Sequence, residues 1–190
     1  AGKSTVLDSV LGDRRREFLV IDADEFKRIL LREAVRDGSY TGWLVPKEIR
    51  EIDAAGEKFY PLELASLVHE ESSYLAKLLR RSAIASGDNI VIDTVLSNSA
   101  DAVALGAQLE AADYDVKVID VEVPFDLSEE RIRSRWRAAY ETALGGGESL
   151  GGRWVPSEYA REVFNGPGGR SKPEVAARAL AEACPAVSRY

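Results

Sequence analysis

Ala1-Gly2-Lys3-Ser4-Thr5 reads as the second half of a phosphate-binding loop. The full motif is G-x-x-x-x-G-K-[ST]. Backbone N–H groups wrap phosphate oxygens, the lysine reaches the β- and γ-phosphates, and the Ser/Thr hydroxyl ligates Mg2+. Gly2, Lys3 and Ser4 stand in that order, and Thr5 joins them in the candidate nucleotide-binding set. Val6, Leu7, Val10 and Leu11 then recur at helical spacing, so phosphate would also meet the positive end of a helix dipole. The motif calls for a first glycine and a feeding strand ahead of Ala1, and for Ala1 to abut a phosphate-sized nest.

Further along, Glu17-Phe18-Leu19-Val20-Ile21-Asp22 is a short apolar run ending in an acid. Asn89-Ile90-Val91-Ile92-Asp93-Thr94 repeats that design. A third run lies in 114–124, with Val116, Val118, Ile119, Val121 and Val123. Runs of this kind read as parallel strands buried on both faces. Helical patterns cover 24–36, 61–85, 99–112, 128–143 and 173–183, and residues 184–190 lead toward a last strand. Strands alternating with helices predict an α/β fold: one doubly wound, mainly parallel sheet with helices on both faces. The strands starting near Glu17, Asn89 and Val116 would lie side by side in it. Residues 145–152 form a glycine-rich loop and 165–169 a second one; neither resembles a domain linker.

Composition narrows the function classes. A chain of 190 residues suits one domain, 1–190, and its 45% hydrophobic and 30% charged content is that of a soluble globular protein. No apolar run approaches the roughly 20 residues of a membrane span. A net charge of −7 counts against a nucleic-acid partner, which would demand a basic surface. Cys184 is the one cysteine and His69 the one histidine, which removes disulfides, cysteine metal clusters and His-pair metal sites. The sequence also contains no Met.

Several charged residues could carry chemistry. Asp22, with Glu25 three positions on, fits a helix cap. Asp24 in the first turn complements the helix dipole. Beside a phosphate loop it could instead accept a proton from an attacking hydroxyl. Asp93 ends its strand as an acid presented near Mg2+ would, or caps the next helix. Glu71 has Leu64, Leu67, Val68, Leu75 and Leu78 at helical offsets, which predicts a carboxylate on the apolar face that pairs with an arginine or lines a cleft. Arg131, Arg133, Arg135 and Arg137 share one helix beside Glu129 and Glu130, the composition of a solvated basic face. An arginine from that helix, together with Arg153 after the glycine-rich loop, would equally serve phosphoryl transfer, since planar guanidinium groups neutralise spreading charge.

Taken in order, these pieces resemble the zeta-toxin family of P-loop kinases. The matching stretches are Gly2-Lys3-Ser4, Ile21-Asp22-Ala23-Asp24-Glu25-Phe26-Lys27, Val68-His69-Glu70-Glu71-Ser72, Asn89-Ile90-Val91-Ile92-Asp93, Val123-Pro124, Ser134-Arg135-Trp136 and Gly152-Arg153-Trp154-Val155-Pro156. The resemblance implies a doubly wound fold of the P-loop kinase type, ATP with Mg2+ as phosphoryl donor, and the 3′-hydroxyl of the sugar of UDP-N-acetylglucosamine as acceptor. It implies Lys3 as the phosphate-loop lysine, Ser4 as Mg2+ ligand, Asp24 as general base, Arg135 and Arg153 on the ATP phosphates, and Asp93 on the sugar. Glu71 is assigned to the substrate from its helix face. An antitoxin protein, a toxin-antitoxin role and a cytoplasmic setting go with the family.

This chain departs from the family at one place. Where the family often has Glu-Gly-Thr followed by an arginine, it has Asp93-Thr94-Val95-Leu96-Ser97-Asn98. A kinase for another hydroxyl, such as an antibiotic or another sugar, is therefore the rival enzyme reading. A nucleotide-dependent switch is the rival from another class. Phosphoryl transfer also requires that water be kept from ATP, so 145–152 is expected to act as a lid.

Overall fold

A computed structural model of the chain describes residues 2–146 and 149–190. The described part is an α/β structure, mostly helical, with small sheets. It divides into two compact units, one built from residues 1–21, 79–129 and 156–190, the other from 22–78 and 130–155.

The first unit opens with helix α1 (Lys3–Leu11), capped by Gly2 at φ 103°. Glycine occupies this left-handed conformation without the steric cost of a Cβ. Strand β1 (Leu19–Asp22) and strand β2 (Ile90–Asp93) pair, and Leu19 N donates to Asn89 O at 2.8 Å. Helix α5 (Ser99–Ala111) begins at Asn98, whose Oδ1 accepts from Asp101 N at 3.1 Å. Strand β3 (Val116–Lys117) runs parallel to strand β4 (Val187–Arg189). Helix α8 (Lys172–Ala183) starts at Ser171 and packs on α5. Ala102, Ala176, Leu180 and Cys184 form the core there, with Leu96, Val118, Ala186 and Val187 around them. Gly106 lets the two helices close: a Cβ on it would lie 2.5 Å from Leu180 Cδ1. Cys184 is a buried free thiol within this core.

The second unit contains helix α2 (Ala23–Asp37), a π-helical turn (Tyr40–Leu44), helix α3 (Lys47–Ala54) and a 3-10 segment (Pro61–Val68). Helix α4 (His69–Ser86) and helix α6 (Phe125–Leu144) each have part of their length here. Leu31, Leu62, Ala65 and Val68 form its core, flanked by Leu30, Tyr40, Leu44 and Leu150. Helix α7 (Ser157–Phe164) belongs to the first unit.

Helices α2, α5, α6 and α8 fall where the periodicity puts them, and β4 is the last strand that residues 184–190 lead toward. Three expectations need correction. The helix read over 61–85 is a 3-10 segment followed by α4, with a break at Leu64 (φ −98°, ψ 23°). The third apolar run forms a two-residue strand rather than one of about ten residues. Asp115 and Lys117 fall on one side of it and Asp120 and Glu122 on the other, so neither side is an unbroken apolar face, and Pro124 lacks an N–H to donate. That strand pairs with β4 in a sheet separate from β1 and β2, instead of lying beside them.

Candidate functional site

In the first unit Gly2, Lys3, Ser4 and Thr5 are exposed at the start of α1. Val6 N donates to Gly2 O at 3.1 Å, so the glycine carbonyl already serves the helix. Lys3 Nζ forms an ion pair with Asp93 Oδ1. Asp93 reaches it because β2 ends there, which delivers an acid at the strand's carboxyl edge. The structure thus brings together two of the sequence-predicted residues, the motif lysine and the strand-end acid. Ala1 lies outside the described residues.

The second unit gathers a different set around Asp24. Asp22 caps α2: its Oδ1 accepts from Asp24 N at 2.8 Å. The cap leaves the Asp24 side chain on the first turn, half-buried. Lys27 Nζ stands 3.0 Å from Asp24 Oδ1, and the Arg153 guanidinium meets Asp24 Oδ2. Lys27 is one turn along α2 and only 7% exposed.

Arg153 is held by the packing just before it. Leu62 N donates to Leu150 O at 2.8 Å. Gly151 sits at φ 78° against Tyr60, and Gly152 is buried against α6, where a Cβ would fall 2.3 Å from the Trp136 carbonyl oxygen. Trp136 is fixed in turn, its Nε1 donating to Glu63 Oε1 at 3.0 Å while Tyr60 N donates to Glu63 Oε2 at 2.8 Å. Trp154 meets Trp136 edge-on, with ring centroids 5.2 Å apart. The expected lid at 145–152 includes Gly147 and Glu148, which lie outside the described residues; its end at Gly151 and Gly152 is packed.

Arg135 is exposed on α6, and its Nε donates back to the Arg131 carbonyl at 3.3 Å. Arg131, Arg133 and Arg137 are exposed as well. Glu71 corrects the expectation drawn from its offsets: it is exposed, and Ser72 is the fully buried residue of this turn. The 3-10 segment rotates Leu64 and Leu67 out of the register that a continuous helix would have given them. The buried line then passes through Val68, Ser72 and Ala83. Lys27 entered the sequence reading only as the last letter of a matching stretch. Its spacing of three from Asp24 on one helix was the signal available.

Among the described residues no group of three or more His, Cys, Asp or Glu side chains could hold a metal ion, and no helix is long and apolar enough to cross a membrane. Neither a curated protein nor a solved structure matches the chain. The family model described as Zeta toxin matches residues 45–182. That span takes in Glu71, Asp93, Arg135 and Arg153 and stops short of Gly2 to Thr5 and Asp24. With well over half of its length matched, the chain belongs to the zeta-toxin family of P-loop kinases.

Proposed function

We propose that the protein is an ATP-dependent small-molecule kinase that transfers the γ-phosphate to the 3′-hydroxyl of the sugar of UDP-N-acetylglucosamine. The observation that carries this reading is the meeting of Asp24 with Arg153 in a chain of this family. A carboxylate at a strand-to-helix turn and a guanidinium after a packed glycine pair are the two kinds of group that the transfer needs.

In this reading Asp24 takes the proton of the acceptor hydroxyl. Lys3, Arg135 and Arg153 neutralise the charge spreading over the transferred phosphoryl group. Gly2 and Thr5 line the phosphates, and Asp93 holds the sugar. Ser4 offers Mg2+ a hydroxyl oxygen. Such hard oxygen donors, with phosphate oxygens for the rest, suit an ion that retains few protein ligands. When bound, the ion polarises the phosphates. ATP and nucleotide sugars place the reaction in the cytoplasm, and an antitoxin protein is the partner that this activity calls for.

The test is a screen of nucleotide sugars with Mg·ATP, reading phosphorylated product. A 3′-phosphorylated UDP-N-acetylglucosamine supports the reading. One observation favours a second: Asp93 is engaged by Lys3, and the Asp93-Thr94 end departs from the family's Glu-Gly-Thr. Phosphorylation of a different hydroxyl compound alone would give the rival kinase. ATP turnover that no acceptor stimulates would give the nucleotide switch.

A further inference from the structure

The two oxygens of Asp24 meet cations of different kinds. Lys27, on Oδ1, is buried, and an ammonium removed from water is costly unless a carboxylate answers it. The pair spans three positions of one helix, so its two members are carried together by α2. Arg153, on Oδ2, is exposed, and its guanidinium can exchange one anion for another. One contact is therefore built into α2, and the other is available for exchange with a ligand.

We propose, resting on the kinase reading above, that Lys27 is a positioning residue for Asp24. It fixes Oδ1 and so assigns Oδ2 as the oxygen that works, once Arg153 turns from it to phosphate. In the step, the acceptor's hydroxyl oxygen forms a bond to the γ-phosphorus. The bond from that phosphorus to the β–γ bridging oxygen breaks, and its electron pair leaves with ADP. The hydroxyl proton goes to Asp24 Oδ2. Lys27 touches none of these atoms. It restrains the carboxylate, because a base free to rotate about its side chain would spend much of its time aimed away from the hydroxyl. The helix dipole of α2 could not do this, since it favours both carboxylate oxygens alike.

Four forms of the full chain test the idea: wild type, Lys27→Gln, Asp24→Asn and the double variant. Each is assayed for acceptor-dependent turnover of Mg·ATP and for the KM of both substrates. Lys27→Gln should lower kcat by about 10²-fold and leave both KM values within about twofold, the pattern of a misaimed base. In the Asp24→Asn background it should cost nothing more, because it acts through Asp24. An unchanged kcat, or the same loss in both backgrounds, overturns the proposal. Should Lys27→Gln fail to fold, Lys27→Arg takes its place in the same cycle. It keeps the charge but displaces it, and a loss of about tenfold confined to chains that retain Asp24 is expected; an equal loss in both backgrounds again overturns it. A wild type with no acceptor-dependent turnover is a different failure: it removes the kinase reading and this inference with it.

Discussion

At the scale of single residues, Asp22 and Asp24 divide two roles between neighbours. Asp22 spends an oxygen on the backbone N–H of Asp24, which leaves the Asp24 carboxylate for Lys27 and Arg153. Asp24→Asn keeps the size and removes the proton acceptor. It should lower phosphorylation by about 10²–10⁴-fold while ATP affinity stays close to wild type. Asp22→Asn should cost about 1 kcal/mol or less in stability, since Asn also caps well. Rate and nucleotide affinity measured for both variants decide the matter, and a dead Asp22→Asn beside an active Asp24→Asn would reverse the assignment. Gly152 is the other residue whose identity matters. An alanine there would drive its Cβ into the Trp136 backbone, 2.3 Å from the carbonyl oxygen. Backbone cannot swing aside as a side-chain end can, so Gly152→Ala should destabilise the chain by about 1–3 kcal/mol or more and displace Arg153. A melting temperature unchanged from wild type would show that the seat is looser than it looks.

At the scale of elements, α6 presents four arginines, and all four are exposed. If Arg135 alone serves the phosphates, Arg135→Ala should lower turnover by roughly 10³-fold, and Arg131→Ala should leave it near wild type. Equal, wild-type rates for both would mean a solvated basic face. A second element-level effect concerns the chain after β3. Burial, together with the nearby carboxylates of Glu122 and Glu174, pushes the Asp120 carboxyl up from 3.8 to about 6. Ser171, the cap of α8, donates to Glu122 Oε1 at 2.7 Å, so the chain after β3 is tied to the start of α8 here. A raised carboxyl pKa means that the folded chain binds the proton more tightly than the unfolded one. Its contribution to stability is present below pH ~4 and is lost as pH rises through about 6. Asp120→Asn should remove that part of the pH dependence. Melting temperatures at pH 4.5 and 7 check it, about the two ends of the titration, and an identical drop in wild type and variant would rule Asp120 out as its source.

At the scale of the whole molecule, a kinase that binds its donor when folded must be stabilised by it. Mg·ATP at about 100 times its Kd should add about 2.7 kcal/mol to unfolding, and Lys3→Ala should abolish most of that gain. A melting temperature indifferent to Mg·ATP would argue against the phosphate loop. What the sequence determined by itself was the local part of this protein. Helices α2, α5, α6 and α8 were legible because apolar residues return every three to four positions, and the Asp22 cap because an acid ends an apolar run just before a helix. The eight-residue helices α3 and α7 escaped notice, being too short to establish a period, though a proline stands before each. The order of motifs was also enough to reach the family. The tertiary structure decided what depends on residues far apart in the chain. β3 takes β4 as its partner, across some seventy residues, because hydrogen bonding between edges carries no signature in either strand. A break at Leu64 resets the face of α4 and puts Glu71 in water, a change of phase that the letters do not announce. Asp24 and Arg153, 129 positions apart, meet because two glycines let the chain press against Tyr60 and Trp136. Lys27 joins them because only in the folded chain is its ammonium buried and in need of a carboxylate.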